Sequence, residues 1–148
     1  MKILIVEDDQ FKCQRVEEFF RINYEKIDFN IAENLVDAIE SIRNNSFDLI
    51  IVDMAIPSHP LVKGGGAPTS LLSGGVQVLL KLSFMKRKDP CIVLTQFHDM
   101  KISGQYYDLD KATHVLNENL KCNVLSCIEY KDGDDAWENE LERSLGNI

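Results

Sequence analysis

The sequence predicts an α/β fold, a doubly wound parallel sheet of five strands with helices on both faces. Three observations carry this. Short apolar runs alternate with stretches of helical periodicity along the chain, the pattern of repeated strand–helix–strand units. Three of the five runs, the first, third and fourth, are continuously apolar through their interior, as strands buried on both faces must be. The 148 residues, 45% hydrophobic and 27% charged, suffice for one domain with a real core and have too ordinary a balance for a disordered chain.

The elements follow in order. Met1–Val6 reads as a strand (KILIV), and a helix from about Gln10 sets Cys13, Val16 and Phe20 on one face. Lys26–Ile31 alternates Ile27, Phe29 and Ile31 against Asp28 and Asn30, a half-buried strand. Leu35, Ala38, Ile39 and Ile42 take the i, i+3, i+4, i+7 spacing of an amphipathic helix. Phe47–Ile56 contains the next strand, DLIIVD, apolar on both faces. Pro57 to Gly75 is rich in Pro, Gly and Ser and reads as a long loop, with an insertion at about 58–73. Ser73-Gly74-Gly75 opens a third helix around Val76–Met85, and Cys91–Thr95 is the fourth strand. Gln96 to Tyr107 fits neither period, which lengthens the segment at about 97–120; Asp108–Leu120 is a helix capped by Asp108. Val124–Tyr130 is the fifth strand. The last helix starts near Asp134 or Asp135 and carries Trp137, Leu141 and Leu145 on one face. Asp28, Asn30, Ser126 and Glu129 interrupt the second and fifth strands, so these belong at the edges. The resulting order is 2-1-3-4-5, a flavodoxin-like arrangement.

Composition excludes several function classes. A net charge of −8 argues against a nucleic-acid surface, and Lys81, Lys86, Arg87 and Lys88 read as a solvated helix end. The longest apolar runs, Ile3–Val6 and Leu49–Val52, are far too short to span a bilayer, and the chain opens without a signal-like segment. The expectation is a cytoplasmic protein with no membrane partner. Cys13, Cys91, Cys122 and Cys127 lack metal-type spacing and read as reduced core thiols. His59, His98 and His114 suggest neither a metal site nor a triad. Gly64-Gly65-Gly66 lacks the G-K-[ST] ending of a phosphate loop. The acids from Asp132 to Glu142 form a solvated helix face, and Trp137 reads as core.

Ligands of such sheets bind outside the carboxyl ends of the strands, where the order reverses. Those ends carry Glu7, Asp8 and Asp9 after the first strand, Asp53 after the third, Thr95 after the fourth and Lys131 after the fifth. Carboxylates crowded into one crevice raise one another's pKa values, a conflict that a hard divalent cation removes; Mg²⁺ suits a small all-oxygen site. Lysine supplies fixed positive charge, threonine a hydroxyl, and an aspartate can attack phosphorus. Phosphoryl transfer asks mainly for positioning and charge neutralisation.

On these residues the sequence resembles the response-regulator receiver family of two-component signalling, over nearly the whole chain apart from two insertions. ILIVEDD resembles the family's first strand and acidic pair, DMAIP its phosphoacceptor D-x-x-x-P, IVLTQ its switch hydroxyl, and EYKDG its lysine. The resemblance implies that Asp53 is the phosphoacceptor, assisted by Thr95 and Lys131. It implies Mg²⁺ on Asp8, Asp53 and the Ala55 backbone carbonyl, with Glu7 acting through water. It also implies a stand-alone switch that takes its phosphoryl group from a histidine kinase or phosphotransfer protein and signals to a downstream protein target, a homodimer being compatible.

Departures sit beside the match. Asp132 follows Lys131 where the family commonly has proline. Ile128 stands at the switch-aromatic position, and Gln96 replaces a small residue after Thr95. They motivate an alternative, a degenerate receiver acting as a phosphorylation-independent interaction module. An aspartate-nucleophile phosphatase ranks below both, because the second acid such enzymes carry two residues on is here Ala55. Singly, Glu7 and Asp8 could charge a helix start, Asp53 and Pro57 could form a turn, Thr95 could end a strand and Lys131 could be solvated; Asp9 is read as a helix cap only.

Overall fold

A computed structural model describes residues 1–60, 70–71 and 74–146. The strand runs form a five-stranded parallel sheet of β1 (Lys2–Val6), β2 (Asp28–Ala32), β3 (Leu49–Val52), β6 (Cys91–Thr95) and β9 (Val124–Glu129), in the order β2-β1-β3-β6-β9. Counted among these five, that is the predicted 2-1-3-4-5. Between them lie α1 (Gln10–Asn23), α2 (Leu35–Asn44), α3 (Gly74–Phe84) and α4 (Leu109–Leu120), with α5 (Ala136–Leu145) last.

Alternation along the strands divides the core in two. Ile3, Ile5, Leu49, Ile51, Ile92 and Leu94 face α1 and α5, meeting Val16, Phe20, Trp137 and Leu141. Leu4, Val6, Ile50, Val52, Cys91 and Val93 face the other way, against Ala38 and Ile42 of α2, Val78 and Leu82 of α3 and Leu116 of α4. All four cysteines are buried free thiols. Caps fall where short polar side chains precede the helices: Asp9 accepts from the Phe11 and Lys12 amides, Asn34 from Asp37, and Asp108 from Lys111. In β2 the expected alternation holds only in part. Phe29 packs against the α1–α5 core, whereas Ile31 remains exposed because an edge strand has a neighbour on one side only.

Two additions interrupt the strand–helix alternation. After β3, the short β4 (Ile56–Pro57) pairs antiparallel with β5 (Ser70–Leu71), in register Ile56 with Leu71 and Pro57 with Ser70. The loop expected at 58–73 is therefore bracketed by paired backbone, and its residues 61–69 and 72–73 lie outside the described residues. After β6, the stretch without a clear period is a hairpin, β7 (Asp99–Ile102) and β8 (Gln105–Asp108). Ser103 and Gly104, at φ 52° and 85°, form the two-residue turn with both residues left-handed, the geometry that suits strand twist. Met100 and Ile102 are the buried face of this hairpin.

The basic group at the end of α3 corrects an expectation. Arg87 is not solvated. Its guanidinium donates to the Ile42 and Asn45 carbonyls and, through Nε and Nη2, to both oxygens of Asp89 at 2.9 and 2.6 Å. Asp89 also accepts the Phe47 amide at 2.9 Å. Burial alone would raise the Asp89 pKa, but these hydrogen bonds outweigh it and hold the carboxyl below its ordinary value. The clamp ties the start of β6 to the α2–β3 connection.

Candidate functional site

β1 and β3 lie side by side, with Val6 opposite Val52, so the residues after each emerge together at the carboxyl edge. The Asp53 amide donates to the Val6 carbonyl at 3.0 Å, which seats the first residue beyond β3 directly beside Glu7. Glu7, Asp8 and Asp53 each offer a carboxylate oxygen, and these lie within 4.8 Å of one another. Glu7 is buried, Asp53 half-buried and Asp8 exposed, so the cluster opens to solvent on the Asp8 side. Three hard oxygen donors at this spacing could hold a divalent cation.

Each acid is fixed locally. Glu7 Oε2 accepts the Asp8 and Asp9 amides at 3.1 and 3.4 Å, and Asp53 Oδ1 accepts the Met54 amide at 2.8 Å. Burial pushes the Glu7 carboxyl up to about 8, against the pull of Lys12 and with the push of Asp53. Asp9 is turned away as the α1 cap, as expected. Ala55 is half-buried in the turn between β3 and β4. Thr95 is fully buried at the end of β6; its Oγ1 accepts the Phe97 amide at 3.3 Å, and its carbonyl accepts the Tyr130 amide at 2.7 Å.

Lys131 departs from expectation. Its side chain is 58% exposed and its ammonium lies 3.9 Å from Glu129 Oε1. Among the described residues no ion pair joins it to Asp53. The chain leaves β9 with the Tyr130 ring turned into the core and then bends at Gly133, at φ 75°, which leaves the lysine on the outside. The cation inside the site is Lys12 of α1. Its Nζ lies 2.6 Å from Glu7 Oε1 and 3.5 Å from Asp53 Oδ1, and it donates to the Leu94 carbonyl at 2.7 Å. Sequence reading passed over Lys12. The signal was there: it stands four residues before Val16 and eight before Phe20, on the inward stripe of the helix, where a charge has no ordinary reason to be.

The family model of the response regulator receiver domain matches residues 3–118. This chain belongs to the response regulator receiver family. A receiver domain is a signalling module of phosphorylation-based two-component systems. Among curated relatives, this receiver is 32% identical over 146 residues to the Detocs response regulatory protein DtcB of Vibrio alginolyticus, an alignment covering 97% of this chain and 98% of that protein. It is 23% identical over 132 residues to the sensory transduction protein LytR of Staphylococcus epidermidis, covering 89% of this chain and 46% of LytR. Among solved structures, the response regulatory domain of mrkE from Klebsiella pneumoniae superposes with a TM-score of 0.64 at 18% identity, covering 100% of this chain and 94% of that one. The receiver domain of the Francisella response regulator 1452 gives 0.63 at 16%, covering 99% and 97%. These two likenesses concern the fold. No helix among the described residues is long and apolar enough to cross a membrane.

Proposed function

We propose that this receiver accepts a phosphoryl group on Asp53 from a histidine kinase or phosphotransfer protein and signals through the resulting change in its protein contacts. The observation that carries the reading is the convergence of Glu7, Asp8 and Asp53 at the carboxyl ends of two neighbouring strands. Asp53 directly follows β3, the middle strand of the sheet; its amide is anchored on the Val6 carbonyl, and it is half-buried where Glu7 is buried and Asp8 exposed. The near full-length likeness to a response regulatory protein supports the same assignment.

In this reading an Asp53 oxygen attacks the donor's phosphorus, the phosphorus–nitrogen bond to the donor histidine breaks, and an aspartyl phosphate forms. Glu7, Asp8, Asp53 and the Ala55 carbonyl would hold Mg²⁺, which when bound neutralises charge on the acids and on the transferred group. The Met54 amide fixes one Asp53 oxygen and leaves the other free to attack. Thr95, buried one strand away, would donate its hydroxyl to a phosphoryl oxygen. The chain then acts only on its own phosphorylation and dephosphorylation, and we place that activity in the cytoplasm. A phosphorylation-independent interaction module is the second reading, favoured by the outward Lys131.

Intact mass after incubation with acetyl phosphate and Mg²⁺ separates them. The native chain should gain one phosphoryl mass and Asp53→Asn none. Equal labelling of the two would remove Asp53 as acceptor, and no labelling of either would favour the interaction module.

A further inference from the structure

Resting on the reading of Asp53 as acceptor, we propose that Lys12 supplies the fixed positive charge that receives the phosphoryl group, a role the family resemblance would give to Lys131. Lys12 is 2% exposed although it lies in the first turn of α1. That is a poor place for a cation: the helix N-terminus is itself positive, and a buried charge is costly unless paired. The site supplies the pairing. An ammonium has three donors, and three acceptors surround Nζ: Glu7 Oε1 at 2.6 Å, the Leu94 carbonyl at 2.7 Å and Asp53 Oδ1 at 3.5 Å.

Each contact comes from a different strand or the residue just past its end: Glu7 after β1, Leu94 in β6 and Asp53 after β3. Lys12 therefore reaches across the floor of the crevice from the helix that covers it. On the fourth side the Tyr130 ring lies 5.5 Å below the ammonium, a favourable cation–aromatic contact. Tyr130 immediately precedes Lys131, so the end of β9 lends an aromatic face to the site rather than a charge. The Asp9 cap fixes the backbone of Lys12, whose amide donates to Asp9 Oδ1 at 3.2 Å. The cation is thus held from both ends of its residue.

The charges agree with this assignment. With all three acids ionised, the state a bound divalent cation favours, the carboxylates and the one ammonium sum to a formal −2, which a single divalent ion neutralises. Without Lys12 the loaded site would stay negative and would repel an incoming phosphoryl oxygen. Lys12 and the divalent ion also compete for the same carboxylates. Removing Lys12 should therefore weaken phosphoryl transfer without weakening metal binding, a split that mere damage to the fold would not produce.

The experiment compares the native chain, Lys12→Met, Lys131→Ala and Asp53→Asn. Labelling rate is read by intact mass with acetyl phosphate and Mg²⁺, and Mg²⁺ affinity by calorimetry without donor. Lys12→Met should label at least about tenfold more slowly than native, with Mg²⁺ affinity equal or tighter. Lys131→Ala should lose less rate than Lys12→Met. A loss in Lys131→Ala as large as in Lys12→Met, or a parallel fall of Mg²⁺ affinity and labelling in Lys12→Met, overturns the assignment. Should Lys12→Met not fold, Lys131→Ala decides alone, because truncating an exposed side chain leaves the fold intact. A loss under about fivefold supports Lys12, and a larger one returns the role to Lys131. Labelling of Asp53→Asn at the native rate defeats the acceptor reading itself, a different failure from any of these.

Discussion

Replacing Gly75 with alanine would set a methyl group against the backbone of the acceptor itself. A Cβ at Gly75 meets the Asp53 carbonyl oxygen at 2.5 Å, Met54 Cα at 3.0 Å and the Asp53 carbonyl carbon at 3.1 Å. The first distance is about 0.9 Å short of ordinary contact, and all three atoms belong to main chain that cannot swing aside. The Gly75 amide also donates to the Met54 carbonyl at 3.0 Å, so α3 and the acceptor turn must separate together. Overpacking of this kind costs about 1–3 kcal/mol, offset by up to about 1 kcal/mol of helix propensity gained over glycine. At about 2–4 °C per kcal/mol for a chain of this size, the melting temperature should fall by only a few degrees. The larger effect falls on chemistry, since displacing a reacting group by about 1 Å can cost about a hundredfold in rate. Gly74→Ala is the matched comparison, because its Cβ meets the Ile56 side chain rather than the Asp53 backbone. Melting by circular dichroism and acetyl phosphate labelling by intact mass should separate the pair: both melt lower, and Gly75→Ala alone loses at least about tenfold in labelling. Native labelling by a folded Gly75→Ala would refute the claim that this helix start positions Asp53.

Two further outcomes follow from the geometry. Mg²⁺ at about ten times its dissociation constant should stabilise the native chain by about 1.4 kcal/mol, a rise of roughly 3–6 °C that Asp8→Ala should abolish; a thermal shift assay with and without Mg²⁺ checks it, and an unchanged native curve counts against the metal site. Asp89→Asn should cost about 1–3 kcal/mol through the Arg87 clamp. Because the folded Asp89 carboxyl sits below its ordinary value, its contribution is complete above that value and is lost as pH falls through the lowered one. The melting temperature of Asp89→Asn should therefore decline less steeply than native below about pH 4, and parallel curves would deny Asp89 that part.

The sheet order was legible because burial on both faces leaves a mark that no other role requires. LIIV in β3 and CIVL in β6 are apolar throughout, whereas Asp28 and Ser126 mark edges. The acids were legible because three carboxylates follow strand ends that the order makes neighbours. The hairpin β7–β8 was not. Each strand has four residues and only Met100 and Ile102 are buried, too short a pattern to stand out from a loop. Lys12 and Arg87 escaped for a shared reason: a long basic side chain reads as solvated unless its acceptors are known, and the carbonyl oxygens that hold these two, of Leu94, Ile42 and Asn45, lie more than forty residues away in sequence. Lys131 matched its motif in order along the chain, but the turn of Tyr130 into the core sends the next side chain outward.

The pairing of β4 with β5 has a consequence for how this chain can vary. Ile56 with Leu71 and Pro57 with Ser70 close the excursion at its neck, within a few residues of Asp53 and of the start of α3. Once the neck is fixed, doubling the length of chain beyond it costs only about 0.6 kcal/mol in closure entropy. By this closure term alone, the length of chain between Pro57 and Ser70 is constrained far less than the pairing of the neck itself. The paired neck is accordingly a point at which a tag or a foreign binding peptide can be spliced between Pro57 and Ser70 at little cost in closure entropy.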